Sequence, residues 1–217
     1  MKYLSLLLVA TILVVPTFAE ARLLGDLGIS SSAHRPSRRI IRENARDPSV
    51  FKTTKPTIRE VPLDRTFESR EYGVKIQYSS RWERQDAPAP TPPLTLLTMF
   101  LSPQEQTGDI RQNVNLVVEE LPTALTLQEY TDLGIEMERN FFDKYSMLSS
   151  QDIVVAGVYR AHRVIFSAKL SGATMTFAQV WIVRGKTAHV WTFADAAGEF
   201  EQHLPVFEKM LDTLTVQ

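Results

Sequence analysis

The sequence predicts an α+β fold that combines an antiparallel β-sheet with two helices. In residues 151–194, short glycine-containing loops separate alternating apolar segments, which is typical of β-hairpins. Two further segments, which begin at Leu127 and Phe200, repeat apolar residues every three or four positions and therefore indicate amphipathic helices. Of the 217 residues, 44% are hydrophobic and none is cysteine, so the fold needs neither disulfides nor thiolate metal sites.

Residues 1–21 predict a secretory signal peptide. A basic start, Met1–Lys2, precedes an apolar run of 13 residues over 3–15. That run is shorter than the ~20 residues that a membrane-spanning helix needs. Small residues follow and allow cleavage after Ala19 or Ala21. We therefore expect export, periplasmic or secreted, and no transmembrane span after cleavage; an uncleaved membrane anchor is the alternative.

Residues 22–60 predict a disordered basic arm. They carry nine basic and four acidic side chains, a net charge of +5, whereas residues 61–217 carry 14 and 20, a net charge of −6. Prolines interrupt the arm and Phe51 is its one aromatic residue, so it has little apolar surface to offset the entropy of ordering. A net charge of −1 for the whole chain argues against a nucleic-acid partner.

Three arginines of the arm, Arg38, Arg39 and Arg42, are the candidate interaction residues. Each would contribute about 1 kcal/mol near an anionic membrane surface. They would equally suit an acidic partner in a protein assembly. The arm also fits a transit sequence, which with the signal would form a bipartite plastid or thylakoid address, or a plain solvated linker.

Residues 61–217 predict one domain that starts with strands. Residues 71–79 alternate apolar and polar positions, as expected of a half-buried strand. Residues 94–101 and 112–119 are two further apolar strands. The proline-rich segment 86–93 between them lacks amide donors and predicts a loop.

The first helix begins at a capping box formed by Thr126 and Glu129. Its predicted apolar face consists of Leu127, Tyr130, Leu133, Met137 and Phe141. Gly134 lies within the helix, where glycine costs about 1 kcal/mol relative to alanine, so we expect a close packing contact there.

The second half predicts strands over residues 151–155, 160–169, 174–184 and 187–194. The final helix has the apolar stripe Phe200, Leu204, Phe207 and Leu211. Because a proline in a helix interior costs about 3 kcal/mol, Pro205 is expected in the first turn of the main helical part. Residues 214–216 predict a closing strand.

Few residues suggest catalysis. His162 and His189, on separate strands, would bind a metal only if they met and if Asp195 or Glu199 supplied a third ligand. Ordinary sheet histidines are the simpler interpretation. His203 and Glu199 have the spacing of a solvated helical pair.

The acids Glu119 and Glu120 should face opposite sides of a strand, which makes them a poor acid/base pair. Phosphate-cradling glycine loops and a nucleophile elbow are absent from the sequence. We therefore predict no catalytic, cofactor-binding or metal-binding residues, no cofactor and no enzymatic activity.

The order of features over residues 67–216 resembles the PsbP-like superfamily, which includes PsbP, the DcrB-type proteins and a Ran-binding import factor. The matching segments are 73–78 followed by Trp82, 113–118, the helix from Leu127, Gly157, 177–183 and the last helix. Ser79 stands where the family usually has proline. The resemblance implies an antiparallel β-sheet flanked by helices on both faces, a PsbP-like α/β/α sandwich, and a role in protein binding without an enzymatic site.

Three functions are compatible with these features. The leading prediction is an exported binding or accessory module that docks on a protein assembly or a membrane surface. A narrower alternative, implied by the resemblance, is an extrinsic subunit of the photosystem II oxygen-evolving complex in a photosynthetic source. The third is a small-ligand carrier or hydrolase with His162 or His189 in a cleft.

Overall fold

The computed structural model describes residues 61–217 except 88, 91, 104–110 and 171. The predicted signal peptide and basic arm lie outside the described residues. The strands are β1 (Arg65–Ser69), β2 (Val74–Tyr78), β3 (Glu83–Asp86), β4 (Leu94–Leu101), β5 (Asn113–Glu120), β6 (Asp143–Val155), β7 (Tyr159–Leu170), β8 (Ala173–Arg184), β9 (Thr187–Ala196) and β10 (Thr215–Val216). The helices are α1 (Leu127–Phe141) and α2 (Phe200–Leu211). Neither helix is long and apolar enough to cross a membrane.

The strands form two antiparallel sheets. A seven-stranded sheet has the order β3-β4-β5-β9-β8-β7-β6, and a three-stranded sheet has the order β1-β2-β10. The consecutive pairing of β6 through β9 confirms the predicted hairpins, and β10 confirms the closing strand, which pairs with β2. The α+β class is therefore confirmed.

Strand β6 is longer than the sequence predicted. It begins at Asp143, whereas the pattern predicted a start at residue 151. Sequence reasoning missed its first half because β6 lies at the sheet edge, where most of its side chains are exposed and polar. The predictions also missed β1 and β3 for the same reason, since each buries at most one side chain.

The large sheet packs against two separate hydrophobic clusters. Alternate residues of β8 enter different clusters: Phe177 and Trp181 join one, and Val180 and Ile182 join the other. Tyr130 of α1 lies in the first cluster, which we call the α1 core. Phe200, Phe207, Met210 and Leu211 of α2 lie in the second, the α2 core, together with residues of β1, β2 and β10.

Helix α1 has the predicted capping box but buries a different face. The Glu129 N–H donates to Thr126 Oγ1 at 3.2 Å, and the Thr126 N–H donates to Glu129 Oε2 at 2.8 Å. Leu133 and Phe141 are 48% and 37% exposed, so the predicted apolar face is wrong at these two positions. The buried residues are Tyr130, Thr131, Gly134 and Glu138.

The packing at Gly134 explains why α1 buries a different face from the predicted one. A Cβ at this position would lie 2.8 Å from Cη2 of Trp181, a side chain that is fully buried. The predicted close contact is thus present, and it can form only if the glycine side of the helix, not the leucine side, faces the sheet.

Helix α2 continues through its proline. Pro205 is the sixth residue of α2 and not a first-turn residue, so the expectation for Pro205 was wrong. Phe200 and Phe207, on either side of it, pack on Phe193 with ring centroids 5.3 and 5.6 Å apart. These two contacts hold both ends of the helix on the sheet and offset the hydrogen bond that the proline cannot donate.

We predict that Gly134→Ala destabilises the protein although alanine is the better helix former by about 1 kcal/mol. The new methyl group overlaps the Trp181 ring, and overpacking of this kind typically costs about 1–3 kcal/mol. Urea unfolding should therefore give a lower free energy of unfolding for the variant. Gly198→Ala is the control, because no atom lies within 4 Å of its added Cβ. A stabilised Gly134→Ala protein would contradict this packing.

Candidate functional site

The residues that the sequence singled out fall in different places. Arg38, Arg39 and Arg42 lie outside the described residues. His162 pairs in register with Trp181 and His189 with Ile182, and consecutive residues of a strand face opposite sides of a sheet. The two histidines therefore do not meet, and the metal site that would have used both is excluded.

His189 is a core histidine. It is 3% exposed on β9, and burial lowers the pKa of its imidazole. Burial therefore favours the neutral form of the ring.

His162 lies between two polar residues of the edge strand. The Ser150 Oγ atom is 2.8 Å from His162 Nε2, and Asp152 Oδ1 is 2.7 Å from His162 Nδ1. Ser150 and Asp152 share one face of β6, and Asp152 is the register partner of His162. The order of contacts is that of a Ser-His-Asp triad. Sequence reasoning missed it because Ser and Asp two residues apart on a strand form no recognised motif.

This arrangement differs from an efficient triad in its aspartate. The Asp152 side chain is 79% exposed, whereas that of His162 is 9% exposed. Water therefore competes for the carboxylate that would orient the imidazole. The Trp181 ring stacks on His162 at 6.2 Å, which gives the histidine a packing role as well.

A second polar cluster lies where β9 meets α2. His203 Nδ1 is 2.8 Å from Asp195 Oδ2 and 2.6 Å from the Gln112 side-chain nitrogen. The ligand atoms of Asp195, Glu199 and His203 all lie within 4.8 Å of one another. Glu199 and His203 are close, as the predicted solvated pair requires. The hydrogen bond of His203, however, is with the buried Asp195.

Asp195 is held in a fixed orientation. Its carboxylate is fully buried, and the Ala196 N–H donates to Oδ1 at 2.7 Å. Burial raises the pKa of this carboxyl, and the hydrogen bonds from His203 and Ala196 act in the opposite direction. Oδ2 remains directed at His203.

The α1 core contains two buried acids. The Tyr130 hydroxyl donates to Glu119 at 2.7 Å, and the Tyr145 hydroxyl donates to Glu138 at 3.2 Å. Burial raises the pKa of Glu119, and it raises the pKa of Glu138 to about 8. Glu119 is buried while Glu120 is exposed, which confirms that these neighbours face opposite sides.

An exposed apolar surface follows edge strand β6 and its turn into β7. Leu148, Val154 and Val158 are 58%, 63% and 71% exposed, and we call these three residues the β6 surface. They are the three most exposed large hydrophobic side chains among the described residues.

Comparison with solved structures shows that the chain has a PsbP-like fold. The cyanobacterial PsbP, CyanoP, from Synechocystis sp. PCC 6803 matches with a TM-score of 0.55 and 12% identity, over 70% of this chain and 92% of that one. LpqN, involved in cell envelope biogenesis of Mycobacterium tuberculosis, matches with a TM-score of 0.53 and 12% identity, over 66% of this chain and 83% of that one. No family profile and no curated sequence matches the chain.

We predict that Glu138→Gln makes stability less dependent on pH. The folded pKa of about 8 lies above the ordinary value of 4.5, so between these limits Glu138 ionises only in the unfolded chain. The wild type should therefore lose stability as the pH rises through this window, on the order of 1 kcal/mol per pH unit. Glutamine does not titrate. Between pH 5 and pH 8, the free energy of unfolding in urea should therefore increase for the variant relative to the wild type.

Glu136→Gln, an exposed position of the same helix, is the control for this experiment. If the two variants showed the same change between pH 5 and pH 8, the buried state of Glu138 would be contradicted.

Proposed function

We propose that the protein is an exported, non-enzymatic accessory module that binds a protein assembly by accepting an extended segment of its partner along β6. The observation that carries this proposal is the β6 surface on a long edge strand. The PsbP-like fold, which is shared with CyanoP and LpqN, is consistent with it.

The two edges of the large sheet differ in a way that favours β6. Strand β3 has four residues, and its charged side chains form ion pairs between Arg84 and Asp86 and between Glu83 and Arg111. Short, charged edges of this kind discourage further pairing. Strand β6 has 13 residues and, within the described part of the chain, pairs only with β7, so its outer backbone groups are not used by any other described strand.

Regular pairing geometry is confined to the second half of β6. Register shifts occur between Asp143 and Ser146 and between Met147 and Ser149, but residues 149–155 pair without interruption. An added strand would therefore align with residues 149–155. Main-chain hydrogen bonds would supply affinity, and Leu148, Val154 and Val158 would contact apolar side chains of the partner.

The remaining parts of the chain fit this role. The predicted signal peptide supports export, and the predicted basic arm with Arg38, Arg39 and Arg42 would add an electrostatic contact to an acidic partner or to an anionic membrane surface. We also place the two helices on opposite faces of the sheet, because the neighbouring β8 residues that line the α1 core and the α2 core alternate. In a photosynthetic source, the assembly would be photosystem II, the narrower form of this proposal.

A hydrolase is the second candidate function. The contact distances of Ser150, His162 and Asp152 favour it. The exposure of the Asp152 side chain argues for a structural hydrogen-bond network instead.

We predict that Val154→Lys/Val158→Lys abolishes partner binding without unfolding the domain, because both side chains are largely exposed. Tagged proteins would be expressed in the source cells, cross-linked and purified, and the recovered partners quantified by mass spectrometry. The recovered amount of a defined set of partners should fall at least about tenfold, which corresponds to about 1.4 kcal/mol of binding free energy. Leu133→Lys, an exposed apolar residue of α1, is the control and should recover that set. Equal recovery from all three proteins would overturn the proposed role of β6.

We predict that a fluorophosphonate probe does not label Ser150, since a solvated aspartate orients the histidine weakly. Intact-protein mass spectrometry would compare the wild type with Ser150→Ala and His162→Gln. Labelling that both substitutions remove would contradict the non-enzymatic proposal and support the hydrolase.

A further inference from the structure

The junction of β9 and α2 brings four metal-ligating side chains together. Asp195 ends the buried part of β9, Glu199 directly precedes α2, and His203 lies in the first turn of that helix. Gln112, 91 residues away in the chain from His203, reaches the same imidazole from the start of β5. An imidazole, two carboxylates and an amide thus share one small volume.

The imidazole of His203 has a polar neighbour at each ring nitrogen. Nδ1 lies 2.8 Å from Asp195 Oδ2, and the Gln112 side-chain nitrogen lies 2.6 Å from Nδ1 and 3.2 Å from Nε2. With the proton on Nδ1, the ring donates to Asp195 and its Nε2 accepts from Gln112. A bound cation would replace these hydrogen bonds, because the imidazole nitrogen, the carboxylate oxygen and, after rotation of the amide, the Gln112 oxygen all have electron pairs to donate to it.

The charges of the cluster also favour a bound cation. Glu199 is within 4.8 Å of the other ligand atoms, yet its carboxylate makes no ion pair with any described residue. Two carboxylates therefore face one imidazole without a lysine or arginine partner. Like charges at such a distance repel, and a divalent cation between them would turn the repulsion into attraction.

The supporting framework is preorganised. The Ala196 N–H holds Asp195 Oδ1 and leaves Oδ2 directed into the cluster. Glu199 and His203 are four residues apart, so both side chains project from one side of the helix start. Phe200, between them in the chain, is buried against Phe193 and anchors this turn on the sheet.

We propose that Asp195, Glu199, His203 and Gln112 form a binding site for a divalent transition-metal ion. One imidazole nitrogen with oxygen ligands suits Zn²⁺ or Mn²⁺ better than Ca²⁺ or Mg²⁺, which are bound through oxygen alone. The ion would link the end of β9 to the start of α2 and so stabilise the docking of that helix. This site is independent of the β6 surface and of the proposed partner binding.

The test is isothermal titration calorimetry of Zn²⁺ into the full-length chain. The wild type should bind one Zn²⁺ per chain, and Glu199→Gln and His203→Gln should each weaken binding at least tenfold. Glu201→Gln, an exposed acid in the same helical turn, and His162→Gln are the matched controls and should bind like the wild type.

A second measurement separates loss of a ligand from loss of the fold. Zn²⁺ should raise the melting temperature of the wild type and of Glu201→Gln, but not that of Glu199→Gln. The Glu199 carboxylate forms no ion pair with another described residue, so this substitution breaks none of the described ion pairs. The absence of Zn²⁺ binding by the wild type, or equal affinity in the wild type and in both ligand variants, would overturn the proposal.

Discussion

The burial of strands β8 and β9 on both faces is the constraint on which the rest of the structure depends. Both strands lie near the middle of the seven-stranded sheet, and eight consecutive residues of each are buried. Their buried side chains belong to two separate hydrophobic clusters. Helix α1 approaches through Gly134 against Trp181, and helix α2 approaches through Phe207 against Phe193. The close approach at Gly134 determines which side of α1 faces the sheet.

The same constraint decides where chemistry and binding can occur. With the central strands covered, exposed groups remain at the sheet edge and at strand ends. The β6 surface and the Ser150–His162–Asp152 contacts lie at the edge, and the cluster around Asp195 lies where β9 leaves the sheet. Buried acids such as Glu138 lie under α1, where burial raises their pKa and couples stability to pH. The proposed partner-binding surface and the proposed metal site thus lie in separate regions of the domain.

Local patterns explain which elements the sequence predicted well. The capping box at Thr126 and the glycine loops between β7, β8 and β9 depend on neighbours in the chain, and the structure confirms both. The first half of β6 was missed because an edge strand shows no apolar alternation. Part of the buried face of α1 was also missed, because the spacing of Leu133 and Phe141 says nothing about the close contact that Gly134 makes with Trp181.

The sequence by itself determined the α+β class, the hairpin order and the start of α1, since these follow from interactions over a few residues. It also displayed Asp195, Glu199 and His203 at four-residue intervals, without indicating that they meet. Only the tertiary structure decided that His162 and His189 face opposite sides, that His203 bonds to Asp195, and that Gln112 joins them from 91 residues away. Strand pairing and helix docking set those distances, and both depend on contacts between residues far apart in the chain.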